Sequence, residues 1–134
     1  MIADSVLCLA LNIFFEARQE PIDGQLAVAE VTLNRVADDR YPDTVCEVVW
    51  EDKQFSWTHD GQHDDPTRMS YLDQRSWESI TELCSEVLDG EAIRLGLTAT
   101  HYHSVDVNPF WTDHYEYDGR IGDHLFYTNE TPYK

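Results

Sequence analysis

Basic residues are scarce in this chain: nine lysines and arginines stand against 26 aspartates and glutamates, a formal net charge of −17. Phosphate binding needs a basic stripe, so nucleic acid is not expected as a partner. The acids are spread along the chain rather than gathered in a tail. That spacing predicts a well-solvated surface that repels anionic membranes and polymers at low salt. Long apolar runs are also missing, so no membrane span is expected. The first 20 residues carry Asp4 and Glu16 and lack the basic start and small-residue cleavage site of a secretory leader. Cysteine is limited to Cys8, Cys46 and Cys84, with no Cys-x-x-Cys pair, which leaves neither a zinc ribbon nor a thioredoxin-type site. Each lies in an apolar helical setting, and the expectation is three reduced core thiols. No repeat or low-complexity linker interrupts the chain. Its 134 residues read as one domain, long enough to bury a core.

What is present reads first as helices. Val6, Leu9, Ala10 and Ile13 recur at helical spacing, predicting a helix over residues 3–18 that ends before Pro21. A second helix is expected from Gly24 or Gln25 to Val36 with Asp23 as its cap; its run LAVAEVTL is apolar almost all round and belongs in the centre. Thr44 and Glu47 have capping-box spacing and open a short helix through Val49. Residues 54–69 are polar and turn-rich, a surface loop by composition. From Gln74 to Leu88 an amphipathic helix turns Trp77, Ile80, Leu83, Cys84, Val87 and Leu88 inward and closes at Gly90. After Gly96 the period falls to two. LTATHYHSV reads as a strand, and YEYDGRIGDHLFYT reads as a hairpin turning at Asp118-Gly119. Helices first and a small antiparallel sheet last define an α+β fold.

Glu16 stands out against this pattern. On a helical wheel it lies beside Leu9, Asn12 and Ile13, in the last turn before Pro21. Apolar neighbours and the negative end of the helix both disfavour a second negative charge there, which is how a carboxyl is kept protonated for general-acid work. Pairing with Arg18 or Arg35 to hold the turn is the alternative, and the residues alone leave the two readings level.

The motifs LNIFFEARQEPIDGQLAVAEVTLNRV, YPDTVCEVV, QFSW, THYHSV and IGDHLFY, in that order from Val6 to Tyr127, resemble the SleB-like cell wall hydrolases, the spore cortex-lytic enzyme family. The resemblance implies a lysozyme-like α+β fold and cleavage of peptidoglycan glycan strands, with the glutamate of the FEAR-type motif, Glu16 here, as the catalytic acid. Where the family usually reads EARGE, this chain has Gln19 in place of the glycine.

Glycosidases generally use two carboxylates, and no second one stands out by its setting: Glu20 reads as exposed and Glu30 as capping or paired. A lytic transglycosylase needs only one, because the muramic acid C6 hydroxyl replaces water and closes a 1,6-anhydro ring. The expected reaction is therefore cleavage of the MurNAc-GlcNAc β-1,4 bond by Glu16, with muramidase hydrolysis as the close variant and no cofactor. Gln54, Phe55, Ser56 and Trp57, with His101, Tyr102 and His103, are the expected cleft lining, since sugar sites combine aromatic faces with hydroxyl-bonding groups. The rival is a metal-dependent amidase or peptidase in which His101 and His103, with Asp106 or His124, hold zinc; the H-x-H spacing is a weak pattern and no HExxH accompanies it. A non-catalytic wall-binding module is the third class. A monomeric lysin of phage type is expected, held in host cytoplasm until a holin opens its way to the wall.

Overall fold

The computed structural model describes residues 4–51, 71–91 and 94–129, without the side chains of residues 71 and 72. Asp4 sits in the first turn of helix α1 (Asp4–Ala17), where a negative charge suits the helix dipole. Cys8 through Phe14 are all buried, so this helix is covered on most sides, by α2, α3 and α4. Helix α2 (Ile22–Val36) begins two residues earlier than the glycine reading. Pro21, in extended geometry, occupies the cap position, its missing N–H costing nothing there, and Asp23 falls inside the first turn rather than capping it.

Helix α3 (Val45–Val49) is capped by Thr44, whose hydroxyl accepts from the Glu47 N–H at 3.2 Å. Helix α4 (Tyr71–Leu88) starts three residues before the expected Gln74 and packs along α1. It ends in paired bonds from Gly90 N–H to Val87 O (3.2 Å) and Glu91 N–H to Glu86 O (2.8 Å), with Gly90 at φ 76°.

The helical core joins Leu9, Ile13, Phe14, Val28, Val49, Ile80 and Cys84. Phe14 meets Trp77 edge-on at 5.9 Å. Burying each large apolar side chain of this set contributes about 1.5–3 kcal/mol. A second cluster, Ala27, Val31, Ala99 and Phe126, seats the other face of α2 on the sheet. So α2 lies centrally, between helices and strands.

The sheet has three antiparallel strands in the order β1-β3-β2: β1 (His101–Ser104), β2 (Glu116–Ile121) and β3 (His124–Thr128). β1 is shorter than the LTATHYHSV reading. Thr98 to Thr100 still run beside the sheet, with the Thr100 N–H bonded to Tyr127 O at 2.9 Å. The hairpin does not turn at Asp118-Gly119. It turns at Gly122-Asp123, and the register shift between Tyr117 and Gly119 makes the expected turn a bulge inside β2. Asp118 earns that place through its side chain, which accepts from the Thr128 hydroxyl at 2.5 Å. A short 3-10 turn, Phe110–Asp113, follows Pro109 in the β1–β2 connection.

The cysteines correct the sequence reading. Cys8 and Cys46 form a disulfide across 38 residues, tying α1 to α3, and only Cys84 is free. Thiol spacing carries no trace of this pairing because the two helices meet only in the fold. Burial pushes the Cys84 thiol up to about 12, so it stays protonated and inert.

Candidate active site

Helix α1 breaks at Ala17, and its exit forms one wall of a cleft of about 340 Å³. Phe15 to Glu20 line one side; Ser104, Asp123 and His124 line the other. Glu16 therefore faces this opening, half-buried, one turn beyond the buried Asn12. The break itself is held by Gln25, whose amide nitrogen lies 3.4 Å from each of the carbonyls of Ala17, Arg18 and Glu20. Three long contacts share one donor group, which covers helix-end carbonyls that would otherwise need water. Gln19 is exposed at the rim, and the chain turns through a Glu20 N–H to Ala17 O bond of 2.9 Å.

Glu20 is not the exposed residue the sequence implied; its side chain is only 11% exposed. One carboxylate oxygen accepts the Asp123 N–H at 2.7 Å and lies 3.2 Å from His124 Nδ1. It thereby straps the β2–β3 turn to the exit of α1. Glu30 is fully buried and accepts from the backbone N–H groups of Leu95 (2.5 Å) and Leu97 (3.0 Å), with Arg94 at 3.6 Å. Both acids are committed to holding backbone. Among the described residues Asp123 is the remaining carboxylate on the cleft wall, 71% exposed and 3.3 Å from Arg120.

Behind Glu16 stands Tyr102. Its ring bridges the two core clusters and meets His124 edge-on at 5.3 Å. Burial, then the charge of Glu16, hold the phenol well above its ordinary value, while the Asn12 side chain works the other way as a hydrogen-bond partner. Tyr102 is thus a neutral hydroxyl at neutral pH, near enough to the candidate acid to feel its charge. The cations named as alternative partners for Glu16 have contacts of their own. Arg18 lies over the Phe14 ring and 3.4 Å from Asp73; buried Arg35 donates to Thr100 O at 2.6 Å and covers Tyr41.

Of the expected lining, Tyr102 shares the sheet face of the cleft residues Ser104 and His124 but does not itself line the cleft. His101 and His103 do not share that face. Strand alternation turns both to the opposite face of the sheet, whereas His124, paired with Ser104, shares the face of Tyr102. His101 lies among Tyr41, Trp111 and Tyr115, and burial with the nearby Arg35 and Arg40 lowers its pKa to about 3. His103 stacks on Tyr127 and has Nδ1 2.8 Å from Ser104 O, so Nδ1 carries the proton. The zinc reading required His101 and His103 to meet His124 or Asp106. Among the described residues no three metal-ligating side chains come together. Gln54, Phe55, Ser56 and Trp57 lie outside the described residues. Ser104, Asp123 and His124 were missed as cleft residues. Their motifs, THYHSV and IGDHLFY, were visible, but strand pairing is what brings them opposite Glu16.

The fold is that of a cell wall hydrolase: residues 19–127 match the model of that family, described as Cell Wall Hydrolase, and the chain belongs to it. The matched span begins just after Glu16. Among curated relatives, the spore cortex-lytic enzyme of Halalkalibacterium halodurans is 32% identical over 128 residues, covering 92% of this chain and 34% of that protein. The spore cortex-lytic enzyme of Oceanobacillus iheyensis is 42% identical over 59 residues, 44% of this chain and 21% of that one. The chain thus matches 34% and 21% of the length of these two relatives. Among solved structures, the catalytic domain of the germination-specific lytic transglycosylase SleB from Bacillus anthracis superposes with a TM-score of 0.67 at 25% identity, covering 94% of this chain and 96% of that one. The catalytic domain of Bacillus cereus SleB gives 0.63 at 25% identity, covering 96% and 93%.

Proposed function

We propose that this chain cleaves peptidoglycan glycan strands at the MurNAc-GlcNAc β-1,4 bond as a lytic transglycosylase, with Glu16 as its acid and base. The observation that carries this reading is the position of Glu16: the end of a buried helix, opening on a cleft, with Glu20 and Glu30 both occupied elsewhere. The solved relative from B. anthracis is itself described as a lytic transglycosylase.

Glu16 gives its proton to the glycosidic oxygen as the bond to the muramic acid C1 lengthens, so the GlcNAc leaves as a neutral alcohol. Positive charge develops on C1 and the ring oxygen. The new Glu16 carboxylate faces that charge, then takes the proton of the C6 hydroxyl as O6 closes on C1. The product is a 1,6-anhydro ring, no water is consumed, and the acid returns to its starting state.

One observation favours hydrolysis as the variant. Asp123 puts a second carboxylate on the facing wall, where a base could activate water. Mass spectrometry of muropeptides released from purified walls separates the two. Anhydromuramic ends support transglycosylation, and reducing muramic ends support Asp123-assisted hydrolysis. Release of peptides with intact glycan strands would remove both.

A further inference from the structure

Ser104 ends β1, His124 opens β3, and the two are register partners across the antiparallel ladder. Such partners turn their side chains to one sheet face, with Cβ atoms roughly 5 Å apart. Both residues line the cleft, on the wall across from Phe15 to Glu20.

What holds each side chain fixes what it can offer a ligand. His124 is 7% exposed, and its Nδ1 lies 3.2 Å from the Glu20 carboxylate oxygen, which can only accept. Nδ1 therefore carries the proton, and in the neutral ring Nε2 keeps its lone pair. Nε2 meets no hydrogen-bond partner among the described residues, and it is not one of their unpaired polar atoms shut away from solvent. That nitrogen opens on the space His124 lines, the cleft. Ser104 is its complement. The serine Oγ accepts the Asp106 N–H at 3.2 Å, and among the described residues its hydroxyl hydrogen has no acceptor. One wall of the cleft thus sets an uncharged donor beside an uncharged acceptor.

We propose that Ser104 and His124 together read the 2-acetamido group of a sugar seated in the cleft: the serine hydroxyl donates to its carbonyl oxygen, and His124 Nε2 accepts from its N–H. This inference rests on the proposed glycan-cleaving function and names the feature of the strand that the site selects. The chemistry of the strand points to that group. Inside a GlcNAc-MurNAc polymer the C4 hydroxyls are used in glycosidic bonds and the muramic C3 hydroxyl in the lactyl ether, so no vicinal diol remains. Every sugar keeps an acetamido group, which presents an acceptor and a donor on two different atoms. Exposed Asp123, on the same wall, disfavours a carboxylate in that place. A sugar without the amide would leave Nε2 facing it unpaired, which is how hydrogen-bonding sites reject analogues.

The test is binding of catalytically blocked Glu16→Gln protein to purified, peptide-free glycan strands, with tetra-N-acetylchitotetraose and cellotetraose as competitors. The two tetrasaccharides share a β-1,4 backbone, carry no charge, and differ in bearing an acetamido or a hydroxyl group at C2. The N-acetylated competitor should displace the strands about tenfold more effectively, or better. Adding Ser104→Ala should weaken strand binding about three- to tenfold, the worth of one hydrogen bond, and Ser104→Thr, which keeps the hydroxyl, should restore it. Adding His124→Phe should narrow the gap between the competitors, a change that lost stability alone would not produce. Thermal unfolding checks that each variant is folded. Equal competition by the two tetrasaccharides, or unchanged strand binding in Ser104→Ala, would overturn the acetamido reading while muropeptide release by the active enzyme upheld the function. A blocked protein that binds no strands, beside an active enzyme that releases no muropeptides, would remove both together.

Discussion

Glu20 and His124, 104 residues apart, meet at 3.2 Å across the exit of α1, and the same carboxylate oxygen accepts the Asp123 N–H at 2.7 Å. This contact joins the helix that carries Glu16 to the hairpin that forms the facing wall. Glu20 therefore ties the two walls of the cleft together at the back. Gly122 takes part by lacking a side chain: its φ is 58°, and a Cβ there would press on the Glu20 carboxylate.

Replacing Glu20 by Ala should lower unfolding free energy by about 1–3 kcal/mol, because the Asp123 N–H loses a charged acceptor. Glu20→Gln should cost less, since its amide oxygen still accepts. Gly122→Ala should also destabilise, by roughly 1 kcal/mol or more, through the left-handed backbone alone. Urea unfolding of the three variants checks the order. Equal stability of Glu20→Ala and the parent would refute the strap.

The Cys8–Cys46 bond closes a loop spanning 38 residues. In the chain-entropy model a loop of that size stabilises by about 4 kcal/mol. Reduction, or Cys8→Ser with Cys46→Ser, should lower the melting temperature by several degrees or more. Oxidised protein should show one titratable thiol, Cys84, and only after unfolding. Three thiols in denatured, unreduced protein would contradict the pairing.

His101 is held neutral, with its pKa lowered from 6.5 to about 3 by burial and by Arg35 and Arg40. The folded value lies below the unfolded one, so the unfolded chain binds more protons between them. The contribution of His101 to stability is therefore present above about pH 6.5 and is lost as the pH falls towards 3. His101→Phe should flatten the acid limb of a stability–pH curve measured by urea midpoints. An unchanged slope would mean that other groups set acid sensitivity.

With a formal charge of −17, encounters with a wall that bears carboxylates are opposed at low ionic strength. The Debye length falls from about 30 Å at 0.01 M salt to about 10 Å at 0.1 M, so wall clearing should speed up between these concentrations. A short uncharged glycan should respond far less. Clearing that instead slows steadily with salt would point to an attractive charged contact.

The helices and the order of elements were legible because each helix carries its own periodicity and stop signals: Pro21, the Thr44 cap, Gly90. Glu16, the proposed acid, drew notice as a carboxylate on an apolar helix face, a setting that by itself left proton donation and arginine pairing level. What depended on distant pairing was not legible. Asp118-Gly119 has the local chemistry of a turn, yet the Glu20 strap and the Asp118–Thr128 bond favour Gly122-Asp123. Glu20 looked exposed because its partners lie a hundred residues away. His101 and His103 looked like cleft residues because alternation puts them on one face without saying which face meets α1. The disulfide was hidden because Cys8 and Cys46 each sit in an apolar run that suits a reduced thiol equally well.

The most direct measurement is wall clearing by Glu16→Gln beside the parent, with folding of both checked by thermal unfolding. Glutamine keeps the shape of the side chain and cannot give a proton to the leaving oxygen. The account predicts a folded protein whose rate falls by about 100- to 10,000-fold, the span of a general-acid contribution. A folded Glu16→Gln protein that clears walls at the parental rate would contradict it.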